Sequence, residues 1–278
     1  MMLNALTIDF EEWFHALPSA SAAWRKGARF ESRIAFASRV LLDILEAEDI
    51  KATFFVVGRL AEDQPDLIRS IAKGGHELAL HGYDHSLLFT KSPYEIREEL
   101  LRSKQIVEEA GGVAVKGYRA PCFSMPRNAK AVFEILASLG FLYDSSIFPV
   151  ITPLYGHHGA SSVPYRAHGL LEIPISTLKF CGLAVPFSGG FYFRLWPYWV
   201  ISVAIRRLNS RGQVVVTYLH PWEFDPDHPF KPGSFLEAIT HYTNLRLTAP
   251  RLKRLLAEFD FGTISKVFFA ADKYNEGS

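Results

Sequence analysis

The sequence has little cysteine and no excess of either charge. Cys122 and Cys181 are its two cysteines in 278 residues. A disulfide framework or a structural zinc cluster is therefore not expected, and both should be buried free thiols. Lysine and arginine number 30 against 29 acidic residues, which gives no indication of the clustered basic face that nucleic acid requires.

Long apolar segments are also scarce. The longest run, LWPYWVISVAI over 195–205, is shorter than the about 20 residues that cross a bilayer. It is bounded by Arg194 and by Arg206 and Arg207, which is typical of a buried helix or of a helix lying on a membrane surface. Residues 1–9 lack the basic region of a secretory signal. We therefore expect a cytoplasmic protein, with peripheral contact to the inner face of the membrane as the further alternative.

What the sequence does contain is alternating strand and helix patterns, with 49% hydrophobic residues to fill a core. This alternation predicts one α/β domain over 1–278, with a parallel sheet wrapped by helices, as a barrel or as a doubly wound sheet. In both folds ligands bind at the carboxyl ends of the strands. The predicted strands are 3–10, 52–58, 77–81, 115–119, 171–175 and 213–219, and the predicted helices are 33–48, 64–73, 94–109, 128–139, 197–208 and 249–259.

Acidic residues end the first predicted strand. Because alternate residues of a strand share a face, Asp9 and Glu11 can point into one pocket while Phe10 points away. Glu12 follows directly and is an alternative ligand to Glu11.

Two histidines end the third predicted strand. His81 and His85 lie four residues apart in ALHGYDHS, across a turn that contains Gly82. Together with Glu11 they form a set of two imidazoles and one carboxylate, which is typical of catalytic metal sites because it leaves coordination positions open. One divalent metal is expected, with Zn²⁺ the first choice, although cobalt, nickel and iron accept the same ligands.

Other polar residues follow the remaining strands. Arg119 ends the fourth strand and could pair with Asp9, which would keep that carboxylate ionised. His220 ends the strand VVVTYLH and could protonate a leaving group. Arg194, which follows the SGG segment at 188–190, and Tyr218 are expected beside the substrate.

Several of these segments together resemble the NodB-homology polysaccharide deacetylases, carbohydrate esterase family 4. TIDFEEWFH, HGYDH, YRAP, YDSSIFP and TYLHPWE are similar to ordered motifs of that family across nearly the whole chain. SGGFYFRLWPY and HYTNL resemble the exosortase-associated branch, whose members act in exopolysaccharide biosynthesis.

The resemblance implies a deformed (β/α) barrel of about seven parallel strands and hydrolysis of N-acetyl groups on a glycan. It implies Asp9 as general base oriented by Arg119, His220 as general acid, and the backbone N–H of Cys122 as an oxyanion donor. Many members also have an aspartate that orients the acid. Between Asp144 and His220 this chain has no aspartate, so Arg194, a backbone carbonyl or water are the alternatives.

The resemblance leaves other functions open. The alternatives are a deformylase or allantoinase-like amide hydrolase on the same fold, and an inactive carbohydrate-binding homologue. A lipid-linked or nascent exopolysaccharide is the expected glycan.

Overall fold

The computed structural model describes residues 2–150, 156–157, 159–180, 182–229 and 235–270. Its strands are β1 (Asn4–Phe10), β2 (Thr53–Val56), β3 (Glu77–Leu80), β4 (Gly117–Tyr118), β5 (Tyr143–Asp144), β6 (Tyr165–Ala167), β7 (Leu170–Glu172), β8 (Thr177–Phe180), β9 (Leu183–Pro186), β10 (Val216–Leu219) and β11 (Phe261–Gly262). Its helices are α1 (Pro18–Arg25), α2 (Ile34–Ala47), α3 (Gly58–Asp63), α4 (Pro65–Lys73), α5 (Pro93–Gly111), α6 (Lys130–Ser138), α7 (Gly190–Leu195), α8 (Tyr198–Asn209), α9 (Phe235–Tyr242), α10 (Thr248–Glu258) and α11 (Ile264–Phe268).

One large sheet organises the molecule, in the order β10-β1-β2-β3-β4-β5-β7-β6, with β11 beside β1. The seven strands from β10 to β7 run parallel, and β6 is antiparallel to β7. Because β1 lies between β2 and β10, strands from the two ends of the chain are neighbours at one end of the sheet. The predicted parallel α/β architecture, a deformed barrel wrapped by helices, is confirmed.

The two faces of the sheet bury different side chains, as the period of a strand requires. In β1, Leu6, Ile8 and Phe10 pack in the larger apolar cluster together with side chains of the surrounding helices. Ala5 belongs to the second cluster, inside the barrel. Asp9 is on the same side of β1 as Ala5, and it is therefore directed into the barrel.

The barrel has a seam between β7 and β10, which are not joined by a strand ladder. Two serines bridge this seam among the described residues. Ser176 Oγ accepts a hydrogen bond from the backbone N–H of Val216 at 2.9 Å, and Ser188 Oγ donates to the carbonyl of Ser176 at 2.7 Å. Gly189 then lies beside Tyr218 in an isolated parallel bridge.

Some expectations differ from the structure. The β8–β9 hairpin and α9 are not predicted from the sequence, and β4 is shorter than its predicted strand at 115–119. The expectation of a buried thiol at Cys122 is wrong, since that side chain is exposed, and Cys181 lies outside the described residues. Among the described residues, no helix is both long and apolar enough to cross a bilayer.

Candidate active site

The polar residues at the strand ends converge on one pocket. Asp9 and Glu11 come from the end of β1, His81 and His85 follow β3, and His220 follows β10. In the sheet β10 and β1 are neighbours and β3 follows after β2, and because all four strands are parallel their carboxyl ends meet at one rim. The structure thus brings together residues that are more than 200 positions apart in sequence.

Glu11, His81 and His85 form a compact group with metal-ligand chemistry. One ligand atom from each lies within 4.8 Å of the others, and all three residues are buried. Glu11 Oε2 is 3.8 Å from His81 Nε2 and closer still to His85 Nε2. Two imidazoles and a carboxylate that aim at one point fit a divalent cation.

Hydrogen bonding prepares His81 for that role. Its Nδ1 lies 2.8 Å from the carbonyl oxygen of Arg119, so Nδ1 carries the proton and Nε2 presents a lone pair toward Glu11. Burial lowers the pKa of His81 to about 4, and the neutral imidazole, which is the form that binds metals, is present at neutral pH.

The electrostatics of Glu11 also favour ligation. Burial alone would raise its pKa, but the charge and the hydrogen bond of His85 outweigh burial and bring the pKa below the usual range. The carboxylate is therefore ionised and available to a cation. Trp222 Nε1 donates to Glu11 Oε1 at 3.4 Å, which leaves Oε2 facing the two histidines.

Glu12 binds backbone groups of a helix and is not one of these three residues. Its carboxylate accepts hydrogen bonds from the backbone N–H groups of Arg33 and Ile34 at 3.2 and 3.3 Å and contacts Ser32. These donors lie at the start of α2, where N–H groups lack helical partners. Glu12 thus caps a helix, and the structure places Glu11 in the triad.

Asp9 is held by Arg119. Arg119 Nη1 donates to Asp9 Oδ1 at 2.6 Å, and the guanidinium also binds Ser145 through its backbone carbonyl and hydroxyl. Arg119 is fully buried, and its Cζ lies 4.0 Å from the ring centroid of Phe55. Because these contacts fix the guanidinium of Arg119, it holds the carboxylate of Asp9 in one orientation.

His220 lies beside both Asp9 and Glu11 in the pocket. Its Nε2 is 3.9 Å from Asp9 Oδ2 and 3.9 Å from Glu11 Oε1. Its Nδ1 is 3.1 Å from Glu223 Oε2. Burial alone would lower the pKa of His220, but Glu223, Glu11 and Asp9 raise it to about 9. A cation bound at the triad would act in the opposite direction.

Glu223 is the residue that sequence reasoning missed. The signal was present in the motif, because a glutamate three residues after His220 can reach back to it as in a capping box. Burial would raise the pKa of Glu223, but the charge of Arg194 and the hydrogen bond with His220 lower it to about 2. Glu223 is therefore an ionised, fully buried carboxylate.

Arg194 and Tyr218, the two residues expected beside the substrate, are both buried, and the ring centroid of Tyr218 lies 5.7 Å from that of His220. Arg194 is 1% exposed, and its guanidinium binds Glu223 and three backbone carbonyls rather than facing the pocket. Tyr218 is 4% exposed, with its ring 5.1 Å from that of Phe123. A Cβ added at Gly189 would lie 2.1 Å from the carbonyl of Tyr218, which explains the glycine there.

Unusual backbone conformations cluster around the pocket. His85, Cys122 and Phe123 have φ angles of 56°, 52° and 52°, in the left-handed region that costs a non-glycine residue about 1–3 kcal/mol. Cys122 lies directly after Pro121 on the turn that follows β4. Strain of this kind persists where the surrounding structure fixes the backbone for a purpose.

A second pair of acids supports this region from inside the barrel. Asp144 and Glu172 are fully buried, and their carboxyl groups interact. Asp144 accepts from the backbone N–H and the hydroxyl of Ser146, and Ser146 Oγ accepts from the N–H of Ala120 at 2.8 Å. Asp144 thus caps its turn, and the turn holds the segment after Arg119.

This acid pair is expected to keep a proton in the folded chain. Burial, and then the charge of Asp144, raise the pKa of Glu172 well above its ordinary value of 4.5. The folded chain keeps this proton to a higher pH than the unfolded chain does, and the free energy of unfolding therefore falls as the pH rises above about 4.5.

Glu172→Gln is expected to remove that fall. The amide keeps an oxygen for the N–H of Ile147, which Glu172 binds at 3.1 Å, and its NH₂ can donate to Asp144. Each pKa unit of difference is worth about 1.4 kcal/mol, so the variant should gain stability relative to the parent between pH 5 and pH 8. Thermal melts across that range, with the exposed Glu134→Gln as control, measure the gain. A stability difference that does not change with pH would contradict the retained proton.

Comparison with known proteins adds the family. Residues 30–143 match the family model described as Polysaccharide deacetylase, and residues 145–269 match the model described as Domain of unknown function (DUF3473). Residues 30–143 therefore belong to the polysaccharide deacetylase family. The chain is similar to the peptidoglycan-N-acetylglucosamine deacetylase of Bacillus cereus, with 35% identity over 81 residues, which are 29% of this chain and 30% of the relative.

Solved structures show the same fold. A protein of Mycobacterium smegmatis, assigned as a polysaccharide deacetylase, superimposes with a TM-score of 0.66 at 24% identity, over 96% of this chain and 90% of its own. A CE4 family pseudoenzyme from Bacillus anthracis matches with a TM-score of 0.50 at 16% identity, over 96% of this chain and 64% of its own. Fold alone therefore does not establish turnover.

The curated relatives are longer than the matched region. This chain spans 30%, 30% and 20% of the length of the first three. What this chain does is consequently a proposal, and the geometry of its own site carries it.

Proposed function

We propose that this deacetylase hydrolyses N-acetyl groups of amino sugars in a glycan and releases acetate, with one divalent metal, zinc as first choice, held by Glu11, His81 and His85. One observation carries the proposal. An arginine-held carboxylate, Asp9, and a carboxylate-held imidazole, His220, lie 3.9 Å apart beside the metal-ligand triad. A cation bound there supplies Lewis acidity to the acetyl carbonyl and lowers the pKa of a water.

Asp9 is the proposed general base. Its Oδ1 is occupied by Arg119, which leaves Oδ2 to accept a proton from the attacking water. Arg119 stabilises the ionised form and prevents rotation of the carboxylate. A base so placed contributes roughly 10²–10⁴-fold to the rate.

His220 is the proposed general acid. Its Nε2 faces the reaction centre, and Glu223 occupies Nδ1. Nε2 donates its proton to the sugar amine as the C–N bond breaks, so that a neutral amine leaves. We assign the oxyanion to the backbone N–H of Cys122, on the strained turn beside Arg119, and one such donor is worth about 3 kcal/mol.

Acetate release from chitooligosaccharides tests this function directly. Zinc-loaded protein should release acetate, and a chelated sample should not. Formate release from N-formyl substrates without acetate release would favour the deformylase alternative, as would ring opening for an allantoinase-like enzyme. Glycan binding with no metal-dependent hydrolysis of any amide would show an inactive homologue.

For the natural substrate we propose a lipid-linked or nascent exopolysaccharide at the inner face of the cytoplasmic membrane. The outer face of α8 supports this location. Trp199 is 67% and Val203 54% exposed, one helical turn apart, and Arg206 and Arg207 follow. Aromatic and apolar side chains next to arginines are typical of helices that lie on anionic lipid.

Vesicle sedimentation tests this location. Vesicles rich in phosphatidylglycerol should retain the protein, and Trp199→Ser with Val203→Ser should weaken retention several-fold. Leu101→Ser, a change of an apolar residue that is 50% exposed on α5, is the matched control. Equal retention of the parent and of both variants would exclude this face as the contact.

A further inference from the structure

The carboxylate that orients the acid in this chain is not an aspartate from elsewhere in the fold. Glu223 Oε2 lies 3.1 Å from Nδ1 of His220 and also accepts the backbone N–H of His220 at 2.9 Å. One oxygen thus fixes both the ring and the main chain of the same residue. The two other carboxylates near the imidazole, those of Asp9 and Glu11, are 3.9 Å from Nε2 and lie on its reacting side.

The second oxygen of Glu223 is fixed in turn. Arg194 Nε donates to Glu223 Oε1 at 2.6 Å. The remaining guanidinium donors bind the carbonyls of Thr240, His241 and Thr243 at 2.6–3.0 Å. These carbonyls lie at the end of α9, where helical carbonyls lack intrahelical partners. Arg194 therefore connects the end of a helix to the carboxylate behind His220.

Burial of this ion pair costs desolvation free energy, and its presence therefore indicates a role other than stability. Glu223 is fully buried and Arg194 is 1% exposed, and a buried ion pair adds little net stability compared with apolar side chains of the same volume. Each oxygen of Glu223 has its own partner, and Arg194 binds on several sides, so neither side chain has freedom to move. Rigidity of this kind serves a catalytic group that must keep one tautomer and one orientation.

We propose that Glu223 and Arg194 are positioning residues for general acid catalysis, in which Glu223 keeps the proton of His220 on Nδ1 and directs Nε2 to the leaving amine, while Arg194 holds Glu223. This proposal rests on the proposed function. From the sequence, Arg194, a backbone carbonyl or water were the candidates to orient His220. In the structure Glu223 contacts the imidazole, and Arg194 contacts Glu223.

Two substrates separate this role from a structural one. An amine is a poor leaving group that needs the acid, whereas the 4-nitrophenolate of 4-nitrophenyl acetate leaves without a proton. In Glu223→Gln, kcat for chitooligosaccharide deacetylation should fall about 10²–10³-fold, with KM changed by less than about threefold. Hydrolysis of 4-nitrophenyl acetate should change less than about fivefold. An equal loss on both substrates would overturn the proposal.

Glu258→Gln is the matched control, because Glu258 also accepts from an arginine, Arg206 Nη2, at 2.7 Å but contacts α8 rather than His220. It should keep both activities. If Glu223→Gln alone does not fold, the double variant Arg194→Gln/Glu223→Gln leaves no unpaired buried charge and should show the same difference between substrates.

Nitrogen NMR gives a readout that needs no turnover. In zinc-loaded protein with ¹⁵N-labelled histidine, the Nδ1 proton of His220 should be visible in the parent and in Glu258→Gln, and absent in Glu223→Gln. A persistent Nδ1 proton in Glu223→Gln would refute the proposal. If the parent releases no acetate and the Nδ1 proton of His220 is still lost in Glu223→Gln, the proposed function is refuted, but the positioning of His220 by Glu223 stands.

Discussion

Asp9→Asn is expected to lower kcat for acetate release by about 10³–10⁴-fold, the upper range for loss of a general base. The amide keeps an oxygen for Arg119 Nη1, which binds Asp9 Oδ1 at 2.6 Å, but it cannot accept a proton from water. Asp9 lies outside the group of Glu11, His81 and His85, and the variant should therefore keep its metal. Acetate assays and metal analysis on the same sample measure the two effects.

Asp225→Asn is a matched control for Asp9→Asn. Asp225 is also a buried aspartate paired with an arginine, with its Oδ2 2.7 Å from Arg33 Nε. Its loss should lower the melting temperature without a comparable loss of turnover. Normal turnover in Asp9→Asn would show that another group is the base.

His81→Ala should abolish metal binding and turnover together. Only Glu11 and His85 of the triad remain in this variant, and two ligands do not hold a catalytic cation. We expect metal affinity to fall by more than about 100-fold, since even loss of an outer hydrogen-bond partner of a ligand costs about 10–100-fold. Titration with zinc, followed by acetate assay at each metal ratio, measures both quantities.

His76→Ala provides the comparison for His81→Ala. His76 precedes β3 and its Nδ1 accepts from the backbone N–H of Ala52 at 3.2 Å, away from the triad. It should bind one metal per chain and keep its turnover. A His81→Ala protein that binds one metal and remains active would refute the ligand set. Reconstitution with cobalt, nickel and iron would show whether zinc is the preferred cation.

Most of the sheet was predictable because its strands are apolar runs that end in polar residues. In β1 the alternation placed Asp9 and Glu11 on the face opposite Phe10, and the structure has this arrangement. The β8–β9 hairpin was not predictable in the same way. Its strands are partly exposed and lie outside the main sheet, and no buried face imposes a clear pattern on their sequence.

The site was predictable where contacts follow from strand order, as for Asp9, Arg119 and the triad. Glu223 was missed because its contact with His220 depends on the 3₁₀ turn that follows β10, not on the strand period. Arg194 was expected beside the substrate, but it lies behind Glu223. Its position depends on carbonyls of α9, and the sequence pattern did not indicate that helix.

The seam between β7 and β10 is held together differently from the part of the barrel that carries Asp9 and His220. A ring of ladder hydrogen bonds resists shear along its strands, whereas two serine bridges cost only about 1 kcal/mol each to break. Base and acid lie on the same side of this seam, because β1 and β10 are paired from Ala5 with Val216 to Ile8 with Leu219. Among the described residues, the β1–β10 ladder thus fixes Asp9 and His220 relative to each other, whereas the rim toward β7 is held by fewer hydrogen bonds.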